Sequence, residues 1–109
     1  EILARVVEVG GAVRGIEAGQ RVAVSPVISC RMRGFGAEEE CSSCSTGWPA
    51  TCERAGEQGA ILVGNEPLLR GMTVGYHGSL PGGWAERMIA HETQLFPVND
   101  SVTSTMLCR

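Results

Sequence analysis

Lysine is missing altogether: all nine basic residues of this 109-residue chain are arginine, and they are scattered along it. With a net charge of -3 and no basic track, a nucleic-acid partner is not expected. No apolar run approaches the roughly 18 residues that a membrane-crossing helix needs, so no membrane partner is expected either. A basic-then-apolar leader is also lacking, because the chain opens Glu1-Ile2-Leu3 without methionine. A cytoplasmic protein is therefore expected. The start at Glu1, and an end at Arg109 amid an unfinished pattern, suggest part of something longer. No G-x-G-x-x-G stretch and no internal repeat occur, so the nucleotide-binding fingerprint is absent from these residues. The length suits one domain with a modest core.

Cysteine, by contrast, is concentrated. Cys30, Cys41, Cys44 and Cys52 lie inside 23 residues, spaced C-x10-C-x2-C-x7-C, and only Cys108 stands apart. Without export signals, clustered cysteines more often bind metal or react than form disulfides. Four thiolates in a short stretch suit one tetrahedral ion, and an all-sulfur set selects zinc. Disulfide pairing and unliganded thiols remain the alternatives. A tetrathiolate zinc site carries net negative charge, which Arg31, Arg33 and Arg54 are available to offset.

The remaining pattern is mostly β. Ile2 to Val9 reads as a strand ending at Gly10-Gly11, and Arg21-Val22-Ala23-Val24 as a second, bounded by Gly19 and Pro26. From Cys30 to about Gly71 periodicity fails, which a compact domain tolerates only if something else organises the segment. Met72 to Tyr76, Gly82 to Ala90 and Gln94 to Val98 read as further short extended segments. Together they point to a barrel or partly open sandwich. The tail from Ser101 is a candidate helix start, capped by Asp100 or Ser101.

These motifs, taken in order, resemble the GroES-like catalytic domain of the zinc-dependent medium-chain alcohol dehydrogenase superfamily. Glu1 to Gly10 resembles its G-H-E-x-x-G-x-V-x-x-V-G segment, entered at the glutamate and with Ala4 at a usual glycine. Gly15 to Val22 resembles G-x-x-x-G-D-R-V, with Gln20 for the aspartate. The four clustered cysteines match the structural-zinc lobe, Gly82-Gly83-Trp84-Ala85-Glu86 matches the G-G-F-A-E strand, and Leu95 to Ser101 matches the exit from the barrel. The ten residues between Cys30 and Cys41 resemble the branch of threonine and sugar-alcohol dehydrogenases.

The resemblance implies a mainly β, GroES-like, partly open barrel over residues 1–109, with an irregular structural-zinc lobe at about 26–56 and no Rossmann domain. It implies a parent that transfers hydride between an alcohol or polyol and NAD(P), aided by a catalytic zinc acting as a Lewis acid. Glu1 would neighbour that catalytic zinc, whose own ligands fall outside these residues, so the chain by itself is expected to be inert. The parent is expected to be a homo-oligomer. Trp48 is expected to cover the zinc lobe and Trp84 to pack. His77 and His91 are read as surface residues, Cys108 as a core residue, and Glu38-Glu39-Glu40 as a solvated loop. Three rivals stand beside this reading. One is a non-catalytic zinc-binding interaction module and another a zinc-free reductase on the same barrel. The third, a thiol-redox protein, is disfavoured because Cys41-x2-Cys44 reads as loop rather than a helix start after a strand.

Overall fold

The computed structural model describes residues 2–57, 62–63, 66–67, 73–75 and 80–102, with backbone alone for 62–63 and 66–67. Among these, five short strands occur: β1 (Ile2–Arg5), β2 (Arg21–Val24), β3 (Leu62–Val63), β4 (Glu66–Pro67) and β5 (Leu95–Pro97). One four-residue helical turn, α1 (Ser42–Ser45), and four 3₁₀ turns complete the set. The chain divides into two compact units, residues 1–25 with 90–109, and residues 26–89.

The first unit is an antiparallel sheet in the order β1-β2-β5. β2 lies in the middle because its period-two pattern gives it one fully apolar face: Val22 and Val24 are buried, while Arg21 and Ala23 on the other face are not. Arg5 pairs with Arg21 and Ile2 with Val24 on one side; Val22 pairs with Pro97 and Val24 with Leu95 on the other. Pro97 closes β5 at the sheet edge, where a missing N–H is tolerated. The turn before β2 depends on Gly19, whose φ of 88° is costly for any other residue.

Two polar side chains hold the sheet to its flanking segments. Gln94 is buried; its Nε2 donates to the Ser25 carbonyl at 2.9 Å and its Oε1 accepts the His91 N–H at 3.0 Å. Arg21 Nη1 donates to the carbonyls of Asn99, Asp100 and Val102 at 3.4, 3.3 and 2.8 Å, gathering the segment after β5.

In the second unit Ile28, Met32, Val74 and Leu80 form a small core against which Met88 packs. Val27 bridges Thr73, and the Val74 and Gly75 amides donate to Pro26 and Leu80 at 2.7 Å each. Gly82 is tightly placed: a Cβ there would lie 3.2 Å from the Cα and N of Gly75, and its φ is +73°. β3 and β4 form a two-residue ladder.

The fold is mainly β, and its three-stranded sheet is open among the described residues. Several expected elements come out differently. β1 stops at Arg5, although Val6 still donates to Gln20 at 2.9 Å; beyond it Val7 is largely exposed, so nothing packs to extend the strand. Residues 82–86 form turns and bends rather than a strand, because Gly82 takes a left-handed conformation that breaks extended geometry. Trp84 is correspondingly 100% exposed instead of packed. At 99–102 the Asn99 Oδ1 takes the Ser101 N–H at 2.9 Å; the helix expected from Ser101, capped by Asp100 or Ser101, falls on residues outside the described ones. Residues 103–109, with Cys108, lie outside the described residues, as do Glu1, Tyr76 and His77.

Candidate metal centre

The lobe from Cys30 to Glu57 is built from single turns that carry or flank the four cysteines. Cys30 opens a 3₁₀ turn (Arg31–Arg33) that ends at Gly34 in the left-handed region, φ 91°. The reversal returns the Phe35 N–H to the Cys30 carbonyl at 3.1 Å. Cys41 sits at the N-cap of α1 in extended conformation, where its Sγ accepts the Cys44 N–H at 3.5 Å. Here the expectation of a plain loop at Cys41-x2-Cys44 is corrected, since sulfur takes the part a Ser or Asp oxygen usually plays at a helix start. The preceding element is a 3₁₀ turn (Ala37–Glu39), however, and not a strand. Gly47, φ 86°, lets the chain leave α1, and a 3₁₀ turn from Pro49 to Thr51 delivers Cys52. Glu53 ties the two turns together by accepting from the Ser43 N–H and Oγ at 3.3 Å each.

The result is convergence of Cys30, Cys41, Cys44 and Cys52, all four Sγ atoms lying within 4.8 Å of one another. Cys30 and Cys52 sulfurs are 3.7 Å apart, Cys41 and Cys52 sulfurs 4.0 Å. A tetrahedral ZnS₄ centre with Zn–S near 2.3 Å has edges of about 3.8 Å. These separations match that edge and far exceed a disulfide bond, and all four cysteines are free thiols. The donor set therefore fits zinc on both chemistry and geometry.

Backbone amides add a ring of donors around the sulfurs. Cys30 N–H points to Cys44 Sγ at 3.5 Å, Cys41 N–H to Cys30 Sγ at 3.4 Å, and Cys44 N–H to Cys41 Sγ. Such donors favour the ionised form, whereas burial opposes it. At Cys41 the amides win: the Cys44 N–H, then that of Glu53, hold its thiol at about 6 despite desolvation. At Cys30 and Cys44 burial wins, and both thiols are raised.

Phe35, rather than Trp48, covers the cluster. Phe35 packs against the buried cysteines and carries the Arg54 guanidinium 4.3 Å above its ring, while Trp48 is 71% exposed. Trp48 instead serves through its backbone, its N–H donating to Ser43 and its carbonyl accepting from Thr51. Of the three cations expected near the site, Arg31 pairs with Glu40 at 3.9 Å, Arg54 pairs with Glu57 at 3.0 Å, and Arg33 is wholly buried. The acidic run is thus not simply solvated, since Glu39 Oε2 also accepts the Gly36 N–H at 2.8 Å. The amide ring and the Phe35–Arg54 lid were not anticipated; the i to i+3 spacing of Cys41 and Cys44 was the one local signal for the former. His91 caps the turn before β5, its Nδ1 accepting from the Thr93 N–H at 3.2 Å, and takes no part in the cluster. The one catalytic residue expected, Glu1, lies outside the described residues.

Comparison with known proteins supplies the class. The family model for the alcohol dehydrogenase GroES-like domain matches residues 1–100. The chain belongs to that family. Its parent is accordingly of the alcohol dehydrogenase kind, an oxidoreductase in general character, and the four-cysteine group is one that can hold the zinc typical of the family. No curated protein and no solved structure matches the chain. Among the described residues no helix is long and apolar enough to cross a membrane.

Proposed function

We propose that residues 1–109 are the GroES-like portion of a zinc-dependent NAD(P) alcohol or polyol dehydrogenase, with a structural-zinc lobe at about 26–56. The observation that carries the metal half of this reading is the convergence of four sulfurs within 4.8 Å. When bound there, zinc supplies a tetrahedral crosslink with no open position, the mark of a structural rather than a catalytic ion. The chain's own side chains do the rest. Cys41 offers a thiolate near neutral pH, the amides of Cys30, Cys41 and Cys44 meet sulfur lone pairs, and Phe35 shields the cluster from water.

Family membership carries the oxidoreductase half. Hydride transfer, the catalytic zinc beside Glu1 and the nucleotide site are assigned to the parent, because these residues hold no G-x-G-x-x-G fingerprint. By itself the chain is proposed to be inert. The long Cys30–Cys41 loop supports the threonine and sugar-alcohol branch, and the parent is proposed to be a cytoplasmic homo-oligomer acting on a small alcohol or polyol.

Metal analysis of purified protein should return about one zinc per chain, lost on chelation or acidification. Metal-free protein carrying two disulfides defeats the zinc reading. A full-length parent that binds zinc yet oxidises no alcohol or polyol with NAD(P) defeats the enzymatic one. In that event a zinc-binding interaction module becomes the better reading, and the fully exposed Trp84 is the feature that favours it.

A further inference from the structure

Among the described residues, Phe35 is the aromatic side chain that packs on the buried Cys30, Cys41 and Cys52. It belongs to no helix or strand and lies between two glycines. Gly34 takes the left-handed conformation, φ 91°, and Gly36 is extended. The backbone on either side therefore turns without a Cβ in the way, which places the ring at a hinge rather than inside a rigid element. The Phe35 N–H donates to the Cys30 carbonyl at 3.1 Å, which fixes its backbone but not its ring. The ring is held from the segment after the last cysteine. Arg54, two residues beyond Cys52, sets its guanidinium carbon 4.3 Å from the ring centroid, well inside cation–π range. The same guanidinium donates from Nη1 to Glu57 Oε2 at 3.0 Å, an exposed pair that contributes little by itself. Phenyl ring and guanidinium thus lie in succession over the cysteines.

We infer that Phe35 and Arg54 form a gate over the four-sulfur site: the cation latches the ring, and the metal ion enters and leaves when ring and guanidinium part. The inference rests on the zinc reading above. Zinc held by four thiolates has no open position, so exchange needs an incoming ligand to approach as a sulfur leaves. Cys30, Cys41 and Cys52 are buried, so on their side that approach requires a covering group to move. Phe35 swings about Gly34 and Gly36, whereas the turns that carry the cysteines move only by breaking the amide–sulfur hydrogen bonds around the cluster. The other way in runs past Cys44, the ligand that is only partly buried, and the test separates the two routes. Such a latch acts on rates: it holds the loaded and the empty lobe alike and is lost only while the passage is open.

Zinc release from the intact, loaded protein is followed by stopped flow with a chromophoric chelator in excess, and affinity by competition with the same chelator. Arg54→Gln removes the cation, and Phe35→Leu keeps an apolar side chain on the cysteines without the π face. Each should release zinc roughly two- to fivefold faster, the rate equivalent of one cation–π contact, with affinity unchanged. Combining them should give no further gain, because both remove the same contact, whereas two independent packing defects would multiply. Arg54→Lys, which keeps a cation, and Glu57→Gln, which leaves the cation on the ring, should both stay near the wild-type rate. Wild-type release in Arg54→Gln and Phe35→Leu puts the exit on the Cys44 side and overturns the inference. So do multiplied rates in the double variant, release from Glu57→Gln as fast as from Arg54→Gln, or an affinity that falls as far as release rises. If Phe35→Leu cannot be obtained folded, the Arg54 variants decide alone: faster release in Arg54→Gln but not in Arg54→Lys sustains the gate, and equal rates overturn it. A wild-type protein that takes up no zinc defeats the zinc reading itself and the gate with it, an outcome distinct from any change in kinetics.

Discussion

Holding free zinc at a series of buffered concentrations should change the stability of the lobe in a way that counts the ions bound. The lobe contains little else to hold it: single turns, with Cys30, Met32, Cys41 and Cys52 as its buried apolar side chains. A structural zinc supplies an apparent 10–16 kcal/mol at neutral pH, about as much as the entire stability of a small domain, roughly 5–15 kcal/mol. For one ion per chain bound to the native state alone, each tenfold rise in free zinc above the dissociation constant adds about 1.4 kcal/mol. With a urea slope of about 1–3 kcal/mol per molar, the midpoint should move by roughly 0.5–1.4 M per decade. Hydrogen exchange at the Cys30, Cys41 and Cys44 amides can follow the transition, since each N–H points at a sulfur of the cluster. Replacing Cys52 by Ser removes the sulfur 3.7 Å from Cys30 and 4.0 Å from Cys41, and should flatten the dependence. A midpoint indifferent to zinc in the wild-type protein, or a Cys52→Ser slope equal to wild type, would refute the reasoning.

Other consequences concern protons and packing. Because burial raises the Cys30 and Cys44 thiols, zinc entering at neutral pH must displace at least two protons, so affinity should climb about 100-fold per pH unit there; calorimetry in buffers of different ionisation heat reads this, and zero proton release contradicts it. In the metal-free protein the lowered Cys41 thiol stabilises the fold above its ordinary 9.0, and that contribution fades as pH falls toward about 6, while Cys30 and Cys44 act oppositely, stabilising below the ordinary value and less above it. Urea titrations across that window, with metal removed, should show the Cys41→Ser variant losing the component that declines between about 9 and about 6. Gly82→Ala places a Cβ 3.2 Å from the Gly75 backbone at a φ of +73°, and should cost about 1–3 kcal/mol in thermal unfolding; an unchanged midpoint counts against this packing. Gln94→Leu leaves the Ser25 carbonyl without its Nε2 donor and the His91 amide without its Oε1 acceptor, which should cost about 1–3 kcal/mol and speed hydrogen exchange at His91. Unaltered exchange there would show that the bond contributes little.

The site and the fold were legible in the sequence to different depths. The spacing of Cys30, Cys41, Cys44 and Cys52 announced a common centre, because four thiols so near in chain separation close only short loops when they meet. Alternation in Arg21-Val22-Ala23-Val24 likewise marked β2, since a two-residue period is a local property that needs only one face buried. The order of motifs from Glu1 to Ser101 carried the family.

What neighbours do across the chain was not written locally. That β2 pairs with β5, some seventy residues on, follows from which apolar faces are left to cover each other once the turns have formed. The same holds for Trp84, whose aromatic character foretold packing that a left-handed Gly82 denies it. It holds again for Phe35 lying over the cysteines where Trp48 was expected, and for Arg33 being buried while Arg31 and Arg54 stay partly exposed. Composition and spacing determined which groups were available, because bond geometry and short-range periodicity are properties of the chain. Tertiary structure decided which of them share a dry interior, because burial and charge compensation depend on segments distant in sequence.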